Sequence, residues 1–296
     1  MLAVLLSAGG ANAVSVSGGE HHACAVLNDG KLMCWGRNNL GQLGVGVTGG
    51  HSVNPLNVDV GLGRTAKAVA CGYFSTCAIL DDDTLKCWGE NDYGKLGYGD
   101  TTDRNAPDAT TVVNLGSGRT AKAVEVGDSN VCAILDDDSI KCWGRGIYSG
   151  IGFLTNNLNA PNPTSLNLGS GRTAKTVSCG YIHCCAILDD DTVKCWGSRQ
   201  MGVIGDGTNS GVQYTPTSTN LGTGRTATSL DMPKGSSTAW NTCATLDNGE
   251  LKCWGSGYAT TPAAQAAADL GLGRTAKTVT HGGTTTCAIL DDDTFK

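Results

Sequence analysis

No stretch of this 296-residue chain stays apolar for the roughly eighteen residues that a membrane-spanning helix requires. Lysine and arginine nowhere run together, and the formal net charge is −6. Sequence-independent grip on a phosphate backbone needs clustered positive charge, so a nucleic-acid role is disfavoured. Phenylalanine occurs 3 times and charged residues make up only 16% of the chain. Glycine takes their place at 43 copies, a composition that suits short strands and tight turns rather than helices. None of the histidines (His21, His22, His51, His183, His281) has a carboxylate or nucleophile recurring at a suggestive offset. With no catalytic constellation, the expectation is a non-enzymatic chain that needs no cofactor.

What is present is repetition. The segment "CAILDDDTLKCWG" at 77–89 returns as "CAILDDDSIKCWG" at 132–144 and "CAILDDDTVKCWG" at 185–197. Looser copies occupy 24–36 and 243–255, and "CAILDDDTFK" fills 287–296. The leading cysteines fall about 53 residues apart, a period at which many small units build one architecture, so 1–296 reads as a single repeat domain. Residues 1–13, "MLAVLLSAGGANA", end in a small-x-small pattern like a signal cleavage site but lack a basic leader. "ANAVSVSGG" aligns with the "RTAKAVACG" that precedes Cys77, which favours a start inside a repeat. With the last copy also cut short, a fragment of a longer array is expected.

Each copy reads as a β-hairpin. The two cysteines are ten positions apart, an even number, so a hairpin that opposes them has an odd loop. Asp81-Asp82-Asp83 fits, closed by Leu80 and Thr84. The last loop residue needs the left-handed region, where the first and fifth copies place Gly30 and Gly249 and the others aspartate. Cys77 and Cys87 then form a close, non-hydrogen-bonded pair. The same register opposes Cys24 with Cys34, Cys132 with Cys142, Cys185 with Cys195 and Cys243 with Cys253. These five pairs are candidate disulfides; the alternative is reduced cysteines packed as small apolar residues. Cys71, Cys179 and Cys184 have no hairpin partner and read as packed thiols, or else as pairs between units. The aspartate triplets at 81–83, 136–138, 189–191 and 291–293 invite a calcium reading, but three adjacent carboxylates in a tight turn cannot converge on one ion. Zinc pairs sit about two to four residues apart, so no metal site is expected.

"LGxGRTA" (with Val60 for the leucine in the first copy) precedes the last five hairpins, with Arg64, Arg119, Arg172, Arg225 and Arg274, and a strand follows it. "WG" and a glycine-rich tail follow several hairpins. One strand, a hairpin and a returning tail make three or four strands per unit, the pattern of propeller blades around a channel. Trp35, Trp88, Trp143, Trp196 and Trp254 recur once per unit and read as core anchors; His22 and His183 share one repeat position and read as structural hydrogen-bonding groups. "VSCGYIHCCAI…VKCWG", together with "NNLGQLG" at 38–44, resembles the repeat of the regulator-of-chromosome-condensation family, with cysteine in place of an aliphatic residue. The resemblance implies an all-β propeller of about seven blades, of which six units are recognisable here. It also implies a small GTPase as an alternative partner, through nucleotide exchange. The family's protruding wedge loop has no recognisable counterpart beyond the fifth unit, and its basic chromatin-contacting segments are absent.

The fifth unit departs from the others. Arg225 to Cys243 is 18 residues where four other units have 13. Its "LDMPKGSSTAWN" offers Met232, Lys234 and Trp240 as a candidate partner-contact loop. The leading expectation is a protein-binding scaffold whose partner is an unidentified protein. Exchange on a small GTPase is the second. The third is a secreted or cell-surface module stapled by disulfides, against a cytoplasmic one if the cysteines are reduced.

Overall fold

The computed structural model describes residues 13–146, 151–152, 157–234, 240–282 and 285–296; the leader-or-repeat question at 1–13 falls almost wholly outside them. The first sheet holds β1 (Ala13–Gly18), β2 (His22–Leu27), β3 (Leu32–Arg37) and β4 (His51–Val58), antiparallel and in chain order. The second holds β5 (Ala66–Cys71), β6 (Ser75–Leu80) and β7 (Leu85–Gly89), and the third β8 (Ala121–Val126), β9 (Asn130–Leu135) and β10 (Ile140–Gly144). The fourth has β11 (Ala174–Cys179), β12 (His183–Leu188), β13 (Val193–Ser198) and β14 (Val212–Ser218). The fifth has β15 (Ala227–Asp231), β16 (Asn241–Leu246) and β17 (Leu251–Gly255), and the sixth β18 (Ala276–Gly282) and β19 (Thr285–Leu290). First strands meet in succession: β1 packs on β5, β5 on β8, β8 on β11, β11 on β15 and β15 on β18. The sheets are thus consecutive propeller blades that converge on their first strands.

The register is the one the hairpins predict. Cys24, Cys77, Cys132, Cys185 and Cys243 oppose Cys34, Cys87, Cys142, Cys195 and Cys253. Loop-ending Asp83, Asp138, Asp191 and Asp293 sit at φ 64°, 63°, 63° and 65°, where the first and fifth copies place Gly30 at 80° and Gly249 at 78°. All five opposed pairs are disulfides, with Cα atoms 4.0 to 4.1 Å apart. A sixth bond joins Cys179 to Cys184, which were expected to be packed thiols or between-blade partners. The tight turn from β11 to β12 makes these two residues direct cross-strand partners within the fourth blade. Cys71 and Cys287 are unpaired. A thiol titration in denaturant should therefore count 2 thiols before reduction and 14 after. A count of 14 without reduction would refute the oxidised pairing.

The apolar core lies between blades, not within one. Ile79, Leu85 and Cys87 of the second blade pack with Val131, Ala133 and Trp143 of the third. Both faces of a blade are therefore covered, and every residue of β6 and β9 is buried. Three of the repeat tryptophans also reach back to the glycine-rich tail of the preceding blade: the indoles of Trp88, Trp143 and Trp254 donate to the carbonyls of Gln42, Lys95 and Val203 at 3.1, 2.9 and 2.9 Å. Trp35, expected to be a core anchor like the rest, is only half-buried. No preceding tail receives its indole among the described residues.

His22 and His183 bridge blades as expected. Their Nε2 atoms lie 2.7 and 2.6 Å from Thr76 and Thr242 Oγ1. Both hydroxyls donate onward, to the carbonyls of Gln42 and Val203, so each imidazole supplies its Nε2 proton. Burial holds both rings down at about 3, and they are neutral. Inner-strand edges are satisfied across blades too: Ser17 Oγ accepts from Cys71 N at 2.9 Å, and Asp231 Oδ2 from His281 N at 2.8 Å. The turns crowd one another so closely that a Cβ on Gly72 would stand 2.4 Å from the Gly127 carbonyl. Gly72→Ala should cost about 1–3 kcal/mol, read from urea midpoints, as overpacking does elsewhere.

Candidate functional site

The two edges of the propeller carry different chemistry. At one edge stand the aspartate turns, and their carboxylates are already engaged. Asp81 Oδ1 accepts from Arg64 Nε at 2.9 Å and from the Thr65 amide at 3.1 Å, Asp82 takes the Thr84 hydroxyl at 2.7 Å, and Asp83 takes Lys67 Nζ at 2.7 Å. The third, fourth and sixth blades repeat this with Arg119 and Lys122, Arg172 and Lys175, and Arg274 and Lys277. The recurrent arginine of "GRTA" is thereby explained as the counter-ion of its own hairpin. Being exposed to solvent and its screening, each pair contributes little to stability. With the carboxylates committed to turn amides and cations, millimolar calcium should leave the melting temperature unchanged; a rise reversed by chelation would show that the turns bind it.

At the opposite edge lie the turns between first and second strands. They read "GGEHH", "CGYFS", "VGDSN" and "CGYIH" in the first four blades. The position after the second residue of each is Glu20, Tyr73, Asp128 and Tyr181 in turn. Acid and aromatic therefore alternate around one mouth. An open cleft of about 360 Å³ is lined by these four residues together with Phe74, Glu90, Asp92, Tyr93, Ser129 and one cation, Arg145.

The electrostatics of this mouth favour a cation. Burial, and then the Asp128 carboxylate, push the Glu20 carboxyl up from its ordinary range. Glu20 Oε2 is covered and accepts no hydrogen bond from the described residues. Burial, then Glu20 and Asp128, likewise push the Tyr73 phenol up. Aromatic faces are close by: Tyr73 and Phe74 have ring centroids 4.1 Å apart, and Tyr181 stacks on Trp240 at 5.9 Å with planes 9° apart. Two arginines already use such faces on the rim, Arg37 over Phe74 at 5.1 Å and Arg145 over Tyr93 at 4.9 Å. Guanidinium stacking on these rings is a working mode of the surface.

The candidate contact loop of the fifth unit is corrected by its surroundings. Met232 is only 1% exposed and packs in the core between the fourth and fifth blades. Lys234 turns inward: its Nζ lies 2.9 Å from Glu125 Oε1 of β8, two blades away, with side chains 14% and 15% exposed. Met232 and Lys234 therefore turn in toward the converging first strands instead of projecting from them. Trp240 is half-buried and joins the aromatic surface through Tyr181; residues 235–239 lie outside the described residues. The sequence signal that was passed over is the alternation at the post-glycine position. In repeats that otherwise copy one another, that position is partly exposed in all four blades and so is freer to vary than the strands beside it.

Two family models, both described as "Regulator of chromosome condensation (RCC1) repeat", match residues 13–42, 66–95 and 174–202, and 29–79 and 82–134. Among curated proteins, the human E3 ubiquitin-protein ligase HERC2 is 29% identical over 71% of this chain and 4% of its own length. The Ultraviolet-B receptor UVR8 of Arabidopsis thaliana is 32% identical over 64% of this chain and 42% of its own length. The chain thus spans well under two thirds of these relatives. Among solved structures, Prp20p from Saccharomyces cerevisiae superposes with a TM-score of 0.78 at 15% identity, over 94% of this chain and 68% of that one. Prp20p is described with binding properties to Gsp1p and histones.

Proposed function

Because this chain belongs to the regulator-of-chromosome-condensation repeat family, we propose that it is a non-enzymatic scaffold that captures a protein partner at one edge of its propeller. The partner presents a cationic segment. One observation carries this reading: Glu20, Tyr73, Asp128 and Tyr181 alternate around a single cleft, and burial and Asp128 both raise the Glu20 carboxyl. An entering lysine or arginine relieves that repulsion and finds aromatic faces beside it. Protein partners are in keeping with Prp20p, and no catalytic group is invoked. Exchange on a small GTPase has less support, since Met232 and Lys234 pack inward rather than forming a wedge. The reading extends to an oxidising compartment, secreted or at the cell surface, and the six close cysteine pairs support it; a reduced chain would be cytoplasmic.

The test is fluorescence anisotropy with labelled lysine/arginine-rich and aspartate/glutamate-rich peptides of equal length. Glu20→Gln with Asp128→Asn should weaken capture of the basic peptide roughly tenfold, from about 1–2 kcal/mol of lost attraction. Asp136→Asn, at the other edge, should not. Acidification through the raised Glu20 range protonates its carboxylate, so affinity should fall as pH falls there. Equal binding of both peptides, or an unaffected double variant, would sink the cationic-segment reading.

A further inference from the structure

Two disulfides in neighbouring blades touch. Cys132–Cys142 spans the hairpin of the third blade, and Cys179–Cys184 spans β11 and β12 of the fourth. Across the interface, Cys132 Sγ lies 3.5 Å from Cys179 Sγ and 3.8 Å from Cys184 Sγ. These three sulfurs all fall within 4.8 Å of one another, and all four cysteines are fully buried. A tetrahedron with zinc–sulfur bonds of about 2.3 Å has sulfur–sulfur edges of about 3.8 Å, so the two non-bonded separations already match its edges.

We propose that the reduced chain holds a thiophilic d¹⁰ cation of the zinc class between its third and fourth blades, on Cys132, Cys142, Cys179 and Cys184. The site has two mutually exclusive forms. In the oxidised form the four sulfurs are two staples. In the reduced form a dithiol reductant delivers two electrons and two protons to each disulfide and leaves as its own cyclic disulfide. The four thiols then lose their protons to solvent as the cation binds, since thiolates are the ligands.

The surroundings suit the reduced form. Cys132, Cys179 and Cys184 already group at the interface, and Cys142 is the direct cross-strand partner of Cys132, as Cys184 is of Cys179, so opening its S–S bond frees Cys142 as the fourth thiol beside that group. Asn130 Nδ2 donates to Cys184 Sγ at 3.2 Å, the kind of outer hydrogen bond that orients a thiolate ligand. Ile134, Leu168 and Trp196 close the site against water. Spacing along the chain conceals it, because each ligand pair comes from a different blade and only their packing assembles four.

The experiment reduces the folded protein with a phosphine, which competes weakly for metal, and titrates it with Co²⁺ and then Zn²⁺, with circular dichroism to follow the fold. Expected are a thiolate-to-cobalt charge-transfer band, intense tetrahedral d–d absorption, and displacement by zinc. The Cys179→Ser/Cys184→Ser variant should bind one equivalent fewer than the parent, and Cys77→Ser/Cys87→Ser the same number. Should the first variant not fold, Cys142→Ser should lower the charge-transfer intensity by about a quarter through loss of one of four thiolates. The proposal fails if stoichiometry is the same in both double variants, if Cys142→Ser leaves the band unchanged, if the cobalt spectrum is that of a weak octahedral site, or if a reduced chain that unfolds is not refolded by zinc.

Discussion

Trp143→Ala is expected to lower the stability of the fold by about 3–5 kcal/mol, as truncation of a fully buried aromatic does. The indole is 0% exposed and fills the core between the second and third blades. Its Nε1 also supplies the donor for the Lys95 carbonyl at 2.9 Å, so truncation leaves both a cavity and an orphaned acceptor. Trp143→Phe keeps most of the volume but not the donor, and should cost about 1–3 kcal/mol. Trp35→Ala serves as the internal comparison: the same repeat position is half-buried there, and the loss should be distinctly smaller. Urea denaturation of the three variants decides the matter. Equal losses at Trp35 and Trp143 would mean that the tryptophan acts within its own blade, not as a staple to the preceding tail.

The second large effect is expected at Lys234→Met. Burial pulls the Lys234 ammonium down, yet the carboxylates of Glu125 and Asp231 outweigh it and hold its pKa above the ordinary lysine value. Methionine preserves the volume and removes the charge, leaving Glu125 and Asp231 without their shared cation. Breaking one side of such a pair costs about 3–5 kcal/mol when it is fully buried; with both side chains partly exposed, about 2–4 kcal/mol is expected. Adding Glu125→Gln should recover much of the loss, since the stranded carboxylate goes too. The pH dependence has a defined sign. A lysine whose folded pKa is raised stabilises the fold at pH values below the unfolded lysine pKa, and that contribution is lost as pH rises through the folded value. In the parent the stability should fall in the alkaline range, and in Lys234→Met that fall should be reduced. A Lys234→Met chain as stable as the parent would show that the bridge across two blades is not formed in solution.

Much of the fold is legible in the amino-acid sequence alone. The even spacing of each cysteine pair and the odd aspartate loop set the hairpin register, because a three-residue loop with a left-handed last position leaves one way to oppose the strands. That in turn placed Cys77 against Cys87 and its four counterparts. Repetition at about 53 residues set the architecture, because each small unit buries its faces only against another copy of itself. Tertiary structure decided what depends on one blade meeting another. Lys234 is a polar residue in an irregular segment, and only the convergence of first strands brings it to Glu125. Trp35 and Trp143 share a motif, and only the neighbouring tail makes one of them core. Cys132 and Cys184 are 52 positions apart, yet blade packing sets their sulfurs 3.8 Å from each other. Local sequence determines which residues oppose one another across a turn, since the chain itself holds them there; contacts between blades depend on the accumulated geometry of whole sheets, which no single segment encodes.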